Sequence, residues 1–399
     1  MRSDFTTTTI AKLIADGGAS IKTGPFGTTL KASEYGTVGV PLISVGEIGY
    51  GSLRIHDKTP RVSSTVTSRL AEYVLEEGDI VFGRKGAVDR SARIAAEQHG
   101  WFLGSDGIRL RLPDTTDSRF MAFQMQSLAL RNWILQHATG TTMASLNQDV
   151  IGRIPVSLPP LAEQRRIAHV LGTLDDKIEL NRKMNRTLED MAQALFKSWF
   201  IDFDGHDDLV DSELGPIPRG WSVAPLANCM ELAYGKSLPE KVRRAGQFPV
   251  YGSGGISGTH DEPLVRGPGV IVGRKGSVGT VYWEDRDFCP IDTTFYVVGE
   301  PSWLPWCYLT LVSTDIARLG ADSAVPGVNR NALLSQRKPV PPAVEVSRFT
   351  DVFHALRARV RTVLAESGTL TTLRDTLLPK LISGELRVPA VEAAVETAL

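Results

Sequence analysis

The sequence predicts an α+β fold in which two pseudo-twofold-related α/β domains are separated by two long helices that form an antiparallel coiled coil. Two observations carry this prediction. The 399-residue chain repeats one plan twice, and in each copy a narrow apolar stripe follows a pair of prolines. A chain of this length is also too long for one ordinary hydrophobic core, so two or more domains are expected.

The repeat is visible at landmarks that are far apart in the chain. The Gly-Arg-Lys-Gly sequence at residues 83–86 recurs at 273–276, each time after an apolar strand-like run. Asn147 and the proline pair at 159–160 both recur 182 residues later. Because independent landmarks agree, the chain is interpreted as two copies of one structural unit.

A long helical pattern follows each proline pair. Its apolar positions alternate in steps of four and three, which is the 3.5-residue period of a coiled coil. At about 1.5 Å per residue, each helix would be roughly 60 Å long, so its narrow stripe needs a partner helix, and the other copy supplies one. The predicted seam consists of Ile167, Leu171, Leu174, Ile178, Leu188 and Leu195 in the first helix and of Phe349, Phe353, Leu356, Val360, Leu370 and Leu377 in the second.

The chain path predicts that the two helices are antiparallel, because the second globular segment begins where the first helix ends. Asn181 and Asn185 interrupt the first seam, and we interpret them as fixing its register; the alternative is two exposed polar positions at a bend. Ser367 and Arg374 interrupt the second seam. Pro379 is expected to kink or end the last turn of the second helix.

Short apolar runs between dense turn signals predict mixed α/β structure with many short strands in both globular segments. A helix is expected at residues 118–137, with a weaker counterpart at 304–319. The predicted divisions are globular domains at 1–156 and 221–340, long helices at 157–201 and 341–384, an acidic linker at 202–220 and a C-terminal tail at 385–399.

The bulk composition is that of a globular protein, and its charge argues against a nucleic-acid partner. The formal charge is −1, but residues 201–214 hold six acids and no Lys or Arg, and the rest of the chain carries +5. There is no apolar run of membrane-spanning length and no leader-like N-terminus. Three widely spaced cysteines fit buried thiols in a reducing cytoplasm better than disulfides or a zinc site.

The sequence predicts no catalytic residues, no metal site and no cofactor bound by this chain. The Gly-Lys-Ser sequence at 235–237 lacks the first glycine of a phosphate-binding loop, and no amino-methylation motif is present. His206 lies among aspartates that could hold a metal ion, but a solvated linker is the preferred interpretation. A catalytic methyltransferase or nuclease remains an alternative that methyl transfer by the purified chain would reveal.

The repeated Gly-Arg-Lys-Gly loop is the first candidate for contact with nucleic acid, the alternative being a solvated basic turn. Glycine permits close backbone approach, and paired cations suit phosphate or a guanine edge. A second group of candidates lies further along each copy, at residues 147–148 and 329–331. Their amide and guanidinium groups can read adenine or guanine, and helix capping is the alternative. The candidates are Arg84, Lys85, Asn147, Gln148, Lys22, Lys31, Tyr35, Arg109 and Arg111 in the first copy and Arg274, Lys275, Asn329, Arg330, Asn331, Lys236, Lys241, Arg243 and Arg244 in the second.

Several stretches resemble the recurrent sequences of type I restriction–modification specificity subunits. They are Thr-Gly-Pro-Phe-Gly at 23–27, Pro-Pro-Leu-Ala-Glu-Gln at 159–164, Ala-Leu-Phe-Lys-Ser-Trp-Phe-Ile-Asp-Phe at 194–203, Leu-Gly-Pro-Ile-Pro-Arg-Gly-Trp at 214–221, and Leu-Leu-Pro-Lys-Leu-Ile-Ser-Gly-Glu-Leu at 377–386. The resemblance covers nearly the whole chain.

The resemblance implies that the two globular segments are target recognition domains, each reading half of a split, asymmetric site in double-stranded DNA. It implies that the helices set the spacing of the half-sites and dock two modification (methyltransferase) subunits. Those subunits would hold S-adenosylmethionine, and a motor-nuclease subunit can join them. A coiled-coil scaffold that binds no DNA is the competing interpretation, and the near-neutral charge supports it.

Overall fold

The computed structural model describes residues 5–140, 142–320, 327–391 and 395. The chain forms two compact units, one of residues 1–181 and 365–399, called unit 1 here, and one of residues 182–364, called unit 2. Each unit combines a mixed α/β body with one half of each of two long helices. No helix in the described part of the chain is long and apolar enough to cross a membrane.

The described residues of unit 1 before the first long helix form ten short strands and five short helices. The strands are β1 (Thr6–Thr9), β2 (Ser20–Thr23), β3 (Val40–Ile43), β4 (Tyr50–Gly51), β5 (Arg61–Val62), β6 (Ile80–Gly83), β7 (Ser91–Arg93), β8 (Phe102–Leu103), β9 (Gly107–Arg111) and β10 (Pro155–Leu158). The helices are α1 (Ile10–Ala15), α2 (Ser64–Arg69), α3 (Ser118–Gln126), α4 (Leu128–His137) and α5 (Gln148–Gly152). Single 3-10 turns lie at Ala32–Glu34, Ala71–Tyr73 and Ala96–Gln98.

The main sheet of unit 1 has the strand order β2-β9-β6-β7-β4, and a second sheet has the order β5-β3-β8. Strand β6 is central and buried on both faces, which explains its uninterrupted apolar sequence. Ile80 and Phe82 pack into one core together with α3 and α5, whereas Val81 packs into another.

The helix expected at 118–137 is in fact two helices, so that prediction is wrong in its continuity. Ser127 has an extended backbone, and its side-chain oxygen accepts a hydrogen bond from the backbone nitrogen of Leu130 at 3.4 Å. Serine at this position caps the second helix and breaks a pattern whose apolar periodicity continues through it.

The long helix α6 (Leu161–Phe200) leads into unit 2, whose described residues form eleven strands and two short helices. The strands are β11 (Leu209–Val210), β12 (Ile217–Pro218), β13 (Ser222–Pro225), β14 (Glu231–Tyr234), β15 (Phe248–Gly252), β16 (Gly255–His260), β17 (Gly269–Gly273), β18 (Val281–Glu284), β19 (Cys289–Pro290), β20 (Thr294–Val298) and β21 (Arg337–Val340). The helices are α7 (Leu304–Val312) and α8 (Arg330–Leu334), followed by the second long helix α9 (Ala343–Ile382). Further 3-10 turns lie at Leu226–Asn228, Glu240–Val242, Pro301–Trp303, Ile316–Gly320 and Val388–Ala390.

The main sheet of unit 2 has the order β14-β20-β17-β18, and β17 occupies the central place that β6 has in unit 1. Val270 and Val272 face the main core, and Ile271 faces a second, aromatic cluster. The counterpart helix expected at 304–319 is shorter than predicted, because α7 ends at Val312 and only a 3-10 turn follows.

Residues 202–220 are mostly exposed, as expected for a solvated linker, but they are not without structure, since β11 and β12 pair there as an antiparallel hairpin. The His206 ring packs edge-on against Trp221 at 5.8 Å, and its Nε2 lies 3.4 Å from an oxygen of Glu345. Within the described residues, no group of three or more His, Cys, Asp or Glu side chains could hold a metal ion.

The two long helices each have 40 residues and are antiparallel. In unit 1, Leu171 near the start of α6 shares a core with Leu377 near the end of α9. In unit 2 the ends are reversed, and Phe200 at the end of α6 contacts Phe349 near the start of α9 at a ring distance of 5.2 Å. Helix α9 continues through Pro379 to Ile382, so the proline does not end it.

Nine of the predicted seam positions are buried, and three are only half-buried. The buried ones are Ile167, Leu171, Leu174, Ile178, Phe349, Phe353, Val360, Leu370 and Leu377; the half-buried ones are Leu188, Leu195 and Leu356. Near its end α6 buries Phe196 and Phe200 instead, because it packs there against the body of unit 2 as well as against α9.

Two of the polar interruptions of the seam, Asn181 and Arg374, are paired within unit 1, whereas Asn185 lies in unit 2, where it is half-buried and its Oδ1 has no hydrogen-bond partner among the described residues. Asn181 is buried, which rules out the exposed bend, and its Nδ2 donates to Glu366 at 3.0 Å. Lys177 lies 3.2 Å from the same carboxylate. Arg374 forms a 2.7 Å ion pair with Asp175 of α6. These contacts join the two helices at fixed positions, as polar groups in a coiled-coil seam do when they set register.

Candidate nucleic-acid interface

In unit 1, the repeated Gly-Arg-Lys-Gly loop lies at one end of the main sheet, beside the ends of two neighbouring strands. Strand pairing places Thr23 opposite Ile108 and Gly83 opposite Gly107. The end of β2, the loop after β6 and the loop before β9 are therefore neighbours. This end of the sheet is called the loop edge of unit 1.

The Gly-Arg-Lys-Gly loop of unit 1 holds Arg84 through three contacts. Its backbone nitrogen donates to the carbonyl of Asp106 at 2.9 Å, and its Nη1 donates to the carbonyl of Ser105 at 3.2 Å. Its guanidinium lies 4.8 Å above the ring of Phe26, which is 55% exposed. Lys85 is exposed. Arg84 is thus oriented by backbone carbonyls and backed by an exposed aromatic ring.

Unit 2 has the same arrangement around Arg274. Its backbone nitrogen donates to the carbonyl of Thr293 at 2.9 Å, and its Nη1 donates to that of Asp292 at 2.9 Å. Its guanidinium lies 5.0 Å from the ring of Tyr234, which is 51% exposed. Lys275 is exposed. The corresponding end of this sheet is called the loop edge of unit 2.

The segment before each repeated asparagine is bound to its arginine loop. In unit 1, the backbone nitrogen of Leu146 donates to the carbonyl of Arg84 at 2.8 Å. In unit 2, the nitrogen of Val328 donates to the carbonyl of Arg274 at 3.0 Å. The structure therefore brings together two candidate elements that are about 60 residues apart in each copy.

Asn147 and Asn329 cap the short helices that follow them. The Asn147 Oδ1 accepts from the backbone nitrogen of Val150 at 2.8 Å. The Asn329 Oδ1 accepts from the nitrogens of Asn331 and Ala332 at 2.9 and 3.1 Å. Capping, which the sequence left as the alternative, is confirmed for both asparagines, and it occupies the oxygen that a base-reading amide would need.

The residue after each cap lies at the loop edge of its unit. Gln148 donates from Nε2 to the hydroxyl of Thr23 at 3.0 Å. Arg330 lies 5.5 Å from the ring of Tyr234, and its Nη1 donates to the carbonyl of Leu232 at 3.4 Å. Both side chains therefore reach the strand end beside the arginine loop.

A glycine permits the close backbone approach that shapes each loop edge. A Cβ on Gly24 would lie 1.8 Å from the carbonyl oxygen of Gly104, and one on Gly235 would lie 2.1 Å from that of Ile291. Any side chain at either position would displace the backbone of the loop opposite it. Gly235 belongs to the Gly-Lys-Ser sequence, whose glycine thus serves packing.

Several other candidates are bound within the protein. Arg109 is buried, and burial lowers the pKa of its guanidinium. Arg111 binds both oxygens of Asp79 at 2.8 Å. Arg243 donates to the carbonyls of Leu238 and Ser257.

Arg244 forms ion pairs with Asp261 at 2.6 Å and Glu262 at 3.1 Å, and the hydrogen bond to Asp261 raises the pKa of the Arg244 guanidinium. Like the arginines at 109, 111 and 243, it is bound to groups of its own unit, so these four are weaker candidates than the sequence implied. Lys31, Tyr35, Lys236 and Lys241 are exposed, and Lys22 lies 4.8 Å from the ring of Tyr73.

Unit 1 also has an arginine cluster that the sequence did not indicate. The Tyr50 ring lies 3.9 Å from the guanidinium of Arg131 and 5.6 Å from that of Arg90. Partial burial of Asp89 raises the pKa of its carboxyl, but hydrogen bonds from Arg131 and Tyr50 outweigh burial and leave that pKa below its ordinary value. Strand pairing joins residues more than 40 positions apart here, and no local pattern reveals it.

The chain is similar to known proteins of one family. Residues 19–190 match the family described as Type I restriction modification DNA specificity domain. The chain is 23% identical over 325 residues to the type I restriction enzyme MjaIX specificity subunit of Methanocaldococcus jannaschii, covering 71% of this chain and 73% of that relative. It is 21% identical over 378 residues to the putative type I restriction enzyme MjaX specificity subunit of the same organism, covering 88% of each.

The fold is similar to that of a solved protein as well. The crystal structure of the type I restriction–modification system S subunit from M. genitalium matches with a TM-score of 0.58 and 19% sequence identity, covering 94% of this chain and 96% of that one. At this identity the likeness concerns the fold alone, and it agrees with the α+β architecture predicted from the repeat.

Proposed function

Because this chain is a member of the type I restriction–modification specificity-subunit family, we propose that it gives such a complex its DNA sequence specificity. The bodies formed by residues 1–156 and 221–340 act as target recognition domains. Each reads one half of a bipartite, asymmetric site in double-stranded DNA. The alternative of a scaffold that binds no DNA is not favoured by this kinship.

The observation that carries the proposal is the arginine held in the same way at both loop edges. Arg84 and Arg274 each keep one hydrogen bond to a backbone carbonyl and rest against an exposed ring. A guanidinium fixed in this manner loses little side-chain entropy when it binds, and it retains donors for a phosphate or a guanine edge. A surface arginine without a binding role needs no such support in both copies.

The rest of the chain has supporting roles in this proposal. The exposed Lys85 and Lys275 contact phosphates and position each domain, whereas base edges supply the sequence information. The antiparallel helices α6 and α9 set the gap between the half-sites and dock two modification (methyltransferase) subunits. Those partners bind S-adenosylmethionine and carry out the chemistry in the cytoplasm. This chain itself is non-catalytic, and a restriction motor-nuclease subunit can join the complex.

Sequencing of methylated bases in cells that express the chain with its modification partner tests the proposal. We expect one bipartite asymmetric motif. Arg84→Ala should weaken selection in one half of that motif and Arg274→Ala in the other half, while Arg318→Ala, a control at an exposed side chain, should change neither. Methylation without a split motif, or one half affected by both arginine variants, would show that the two edges do not read separate half-sites.

The spacing role has its own test. Seven residues inserted into each long helix preserve the coiled-coil phase and lengthen the pair by about 10 Å. The methylated motif should then keep both half-sites and gain a longer gap. A change in the half-sites themselves would contradict the assignment of spacing to the helices.

A further inference from the structure

Gln148 and Arg330 occupy the same place in their respective units. They are 182 residues apart, the offset of the repeat, and each directly follows the asparagine that caps a short helix. Each capping asparagine follows a residue whose backbone nitrogen is bound to the arginine of the Gly-Arg-Lys-Gly loop. Gln148 and Arg330 are therefore equivalent by their sequence offset, by the cap that precedes each of them and by the backbone hydrogen bond to the loop arginine.

The two side chains reach the same strand end by different contacts. In unit 1 it is Thr23, opposite Ile108 in β9, that accepts a hydrogen bond from Gln148. In unit 2 it is Tyr234, opposite Phe295 in β20, against which Arg330 packs. Tyr234 thus has two guanidiniums near its ring, from Arg274 and Arg330.

The chemistry at this position differs between the units in the way that base selection requires. A glutamine amide matches the N6 and N7 edge of adenine, and an arginine guanidinium matches the O6 and N7 edge of guanine. Gln148 is exposed, and its amide oxygen has no role in the cap, which uses Asn147. The Arg330 guanidinium is backed by the Tyr234 ring.

We propose that Gln148 and Arg330 are equivalent base-selecting residues: Gln148 selects an A·T pair in the half-site read by unit 1, and Arg330 selects a G·C pair in the half-site read by unit 2. This inference rests on the proposed function and adds to it the residues and bases. A good bidentate contact discriminates against the wrong base by roughly 5- to 150-fold, so the selected base is measurable.

The test exchanges the two side chains and determines the methylated motif of the complete complex. Gln148→Arg should replace adenine by guanine at one position of one half-site and leave the other half-site unchanged. Arg330→Gln should replace guanine by adenine at one position of the other half. Gln136→Arg and Arg318→Gln are matched controls, because they make the same charge changes at exposed positions of the same units. The controls should preserve the wild-type motif.

If an exchange variant no longer supports methylation, the base preference at that position is measured by DNA binding instead. Gln148→Ala and Arg330→Ala complexes are used to select bound DNA from a pool with a randomised site, after hydrogen exchange has shown that both units remain folded. We expect preference to fall by about fivefold or more at one position and to persist elsewhere.

An unchanged motif in the exchange variants, or unchanged preference in the alanine variants, overturns the inference. If the wild-type complex gives no bipartite motif, it is the proposed function that fails. The two failures are therefore distinguishable.

Discussion

The two loop edges have the same backbone contacts but differ in their side chains. In both units a glycine after the first strand of the main sheet touches a carbonyl, and the loop arginine binds two backbone carbonyls. The ring beneath that arginine, however, comes from different places. Phe26 follows Gly24 by two residues, whereas Tyr234 precedes Gly235 by one.

The surroundings of the two edges differ further. In unit 1 the edge continues into the cluster of Tyr50 and Arg131. In unit 2 the β15–β16 hairpin lies there instead, and the Ser253 carbonyl accepts hydrogen bonds from Thr280 and Tyr282. Contacts made by backbone atoms tolerate changes of side chain. The same backbone arrangement can therefore present different side chains to DNA in the two units. Matched variants in the two units test where they are equivalent and where they are not.

The largest expected effect concerns the helix pair, which is aromatic in unit 2 and aliphatic in unit 1. Phe349 is fully buried and contacts the rings of Phe196, Trp199 and Phe200. Phe349→Ala should lower the free energy of unfolding of unit 2 by about 4 kcal/mol, because it leaves a large cavity and removes ring contacts.

Leu370→Ala is the matched change in unit 1 and should cost about 3 kcal/mol there, since Leu370 is equally buried but is smaller than phenylalanine and has no ring of its own. Hydrogen exchange resolved by peptide measures each unit separately. An equal or larger loss for the leucine variant would mean that the aromatic cluster adds no stability of its own.

The second prediction concerns pH. Asp285 accepts hydrogen bonds from Arg357 at 2.6 Å, Arg361 at 3.2 Å and Trp283 at 2.9 Å. Burial raises the pKa of the Asp285 carboxyl, but the hydrogen bonds and charges outweigh burial and leave that pKa below its ordinary value. A folded-state pKa below the unfolded one gives stability that is present above the ordinary aspartate pKa and is lost as the pH falls through the lowered value.

Asp285→Asn should therefore destabilise unit 2 by about 3 kcal/mol near pH 7, because the largely buried Arg357 loses its 2.6 Å ion pair and keeps only the longer one, 3.6 Å, to the exposed Glu189. The difference from wild type should shrink in acid, where the wild-type carboxyl is protonated as well. Denaturant titrations at several pH values measure this. A difference that stays constant between pH 7 and pH 2 would contradict the assigned pKa direction.

The sequence was sufficient for the architecture because the repeat and the seam are periodic. Apolar positions that keep a 3.5-residue period over 40 residues leave few alternatives to a long helix paired with another helix. The constant offset between the two copies identifies equivalent positions without any structure. Ser127 shows the limit of periodicity, since a single cap divides an otherwise continuous apolar pattern.

The candidate site was predicted less completely, because most of its contacts are long-range. Arg111 looks like a surface cation in the sequence, yet it binds Asp79, 32 residues away. The ring under Arg84 comes from Phe26, 58 positions earlier, and only strand pairing brings it there. Local sequence therefore identified the loops, and the sheet determined which of their side chains remain available.

The third prediction tests the shared glycine contact. Gly24→Ala should destabilise unit 1 by about 2 kcal/mol or more, since the new Cβ would meet the Gly104 carbonyl at 1.8 Å. Gly27→Ala is the control, because a Cβ there has no heavy atom within 4 Å. Hydrogen exchange of β2 and β9 reports the loss. If both alanine variants were equally stable, the close approach of Gly24 to the Gly104 carbonyl would not be needed for the stability of this loop edge.

The smallest effect separates the two loop lysines. Lys85 lies 3.8 Å from Asp106, whereas the position equivalent to Asp106 in unit 2 is Thr293, as the backbone bonds to the loop arginines show. A partly neutralised lysine contributes less to phosphate binding. Each full phosphate contact changes the slope of log K against log salt by about 0.9.

Lys275→Ala should therefore reduce that slope by close to 0.9, and Lys85→Ala by less, while the recognised motif stays the same in both. Binding of the complete complex to its site, measured from low to moderate salt, gives the slopes. In an Asp106→Thr background, Lys85→Ala should reach the effect of Lys275→Ala, because the carboxylate that offsets Lys85 is gone. If the two lysines remain unequal in that background, the difference between the edges has another origin than this carboxylate.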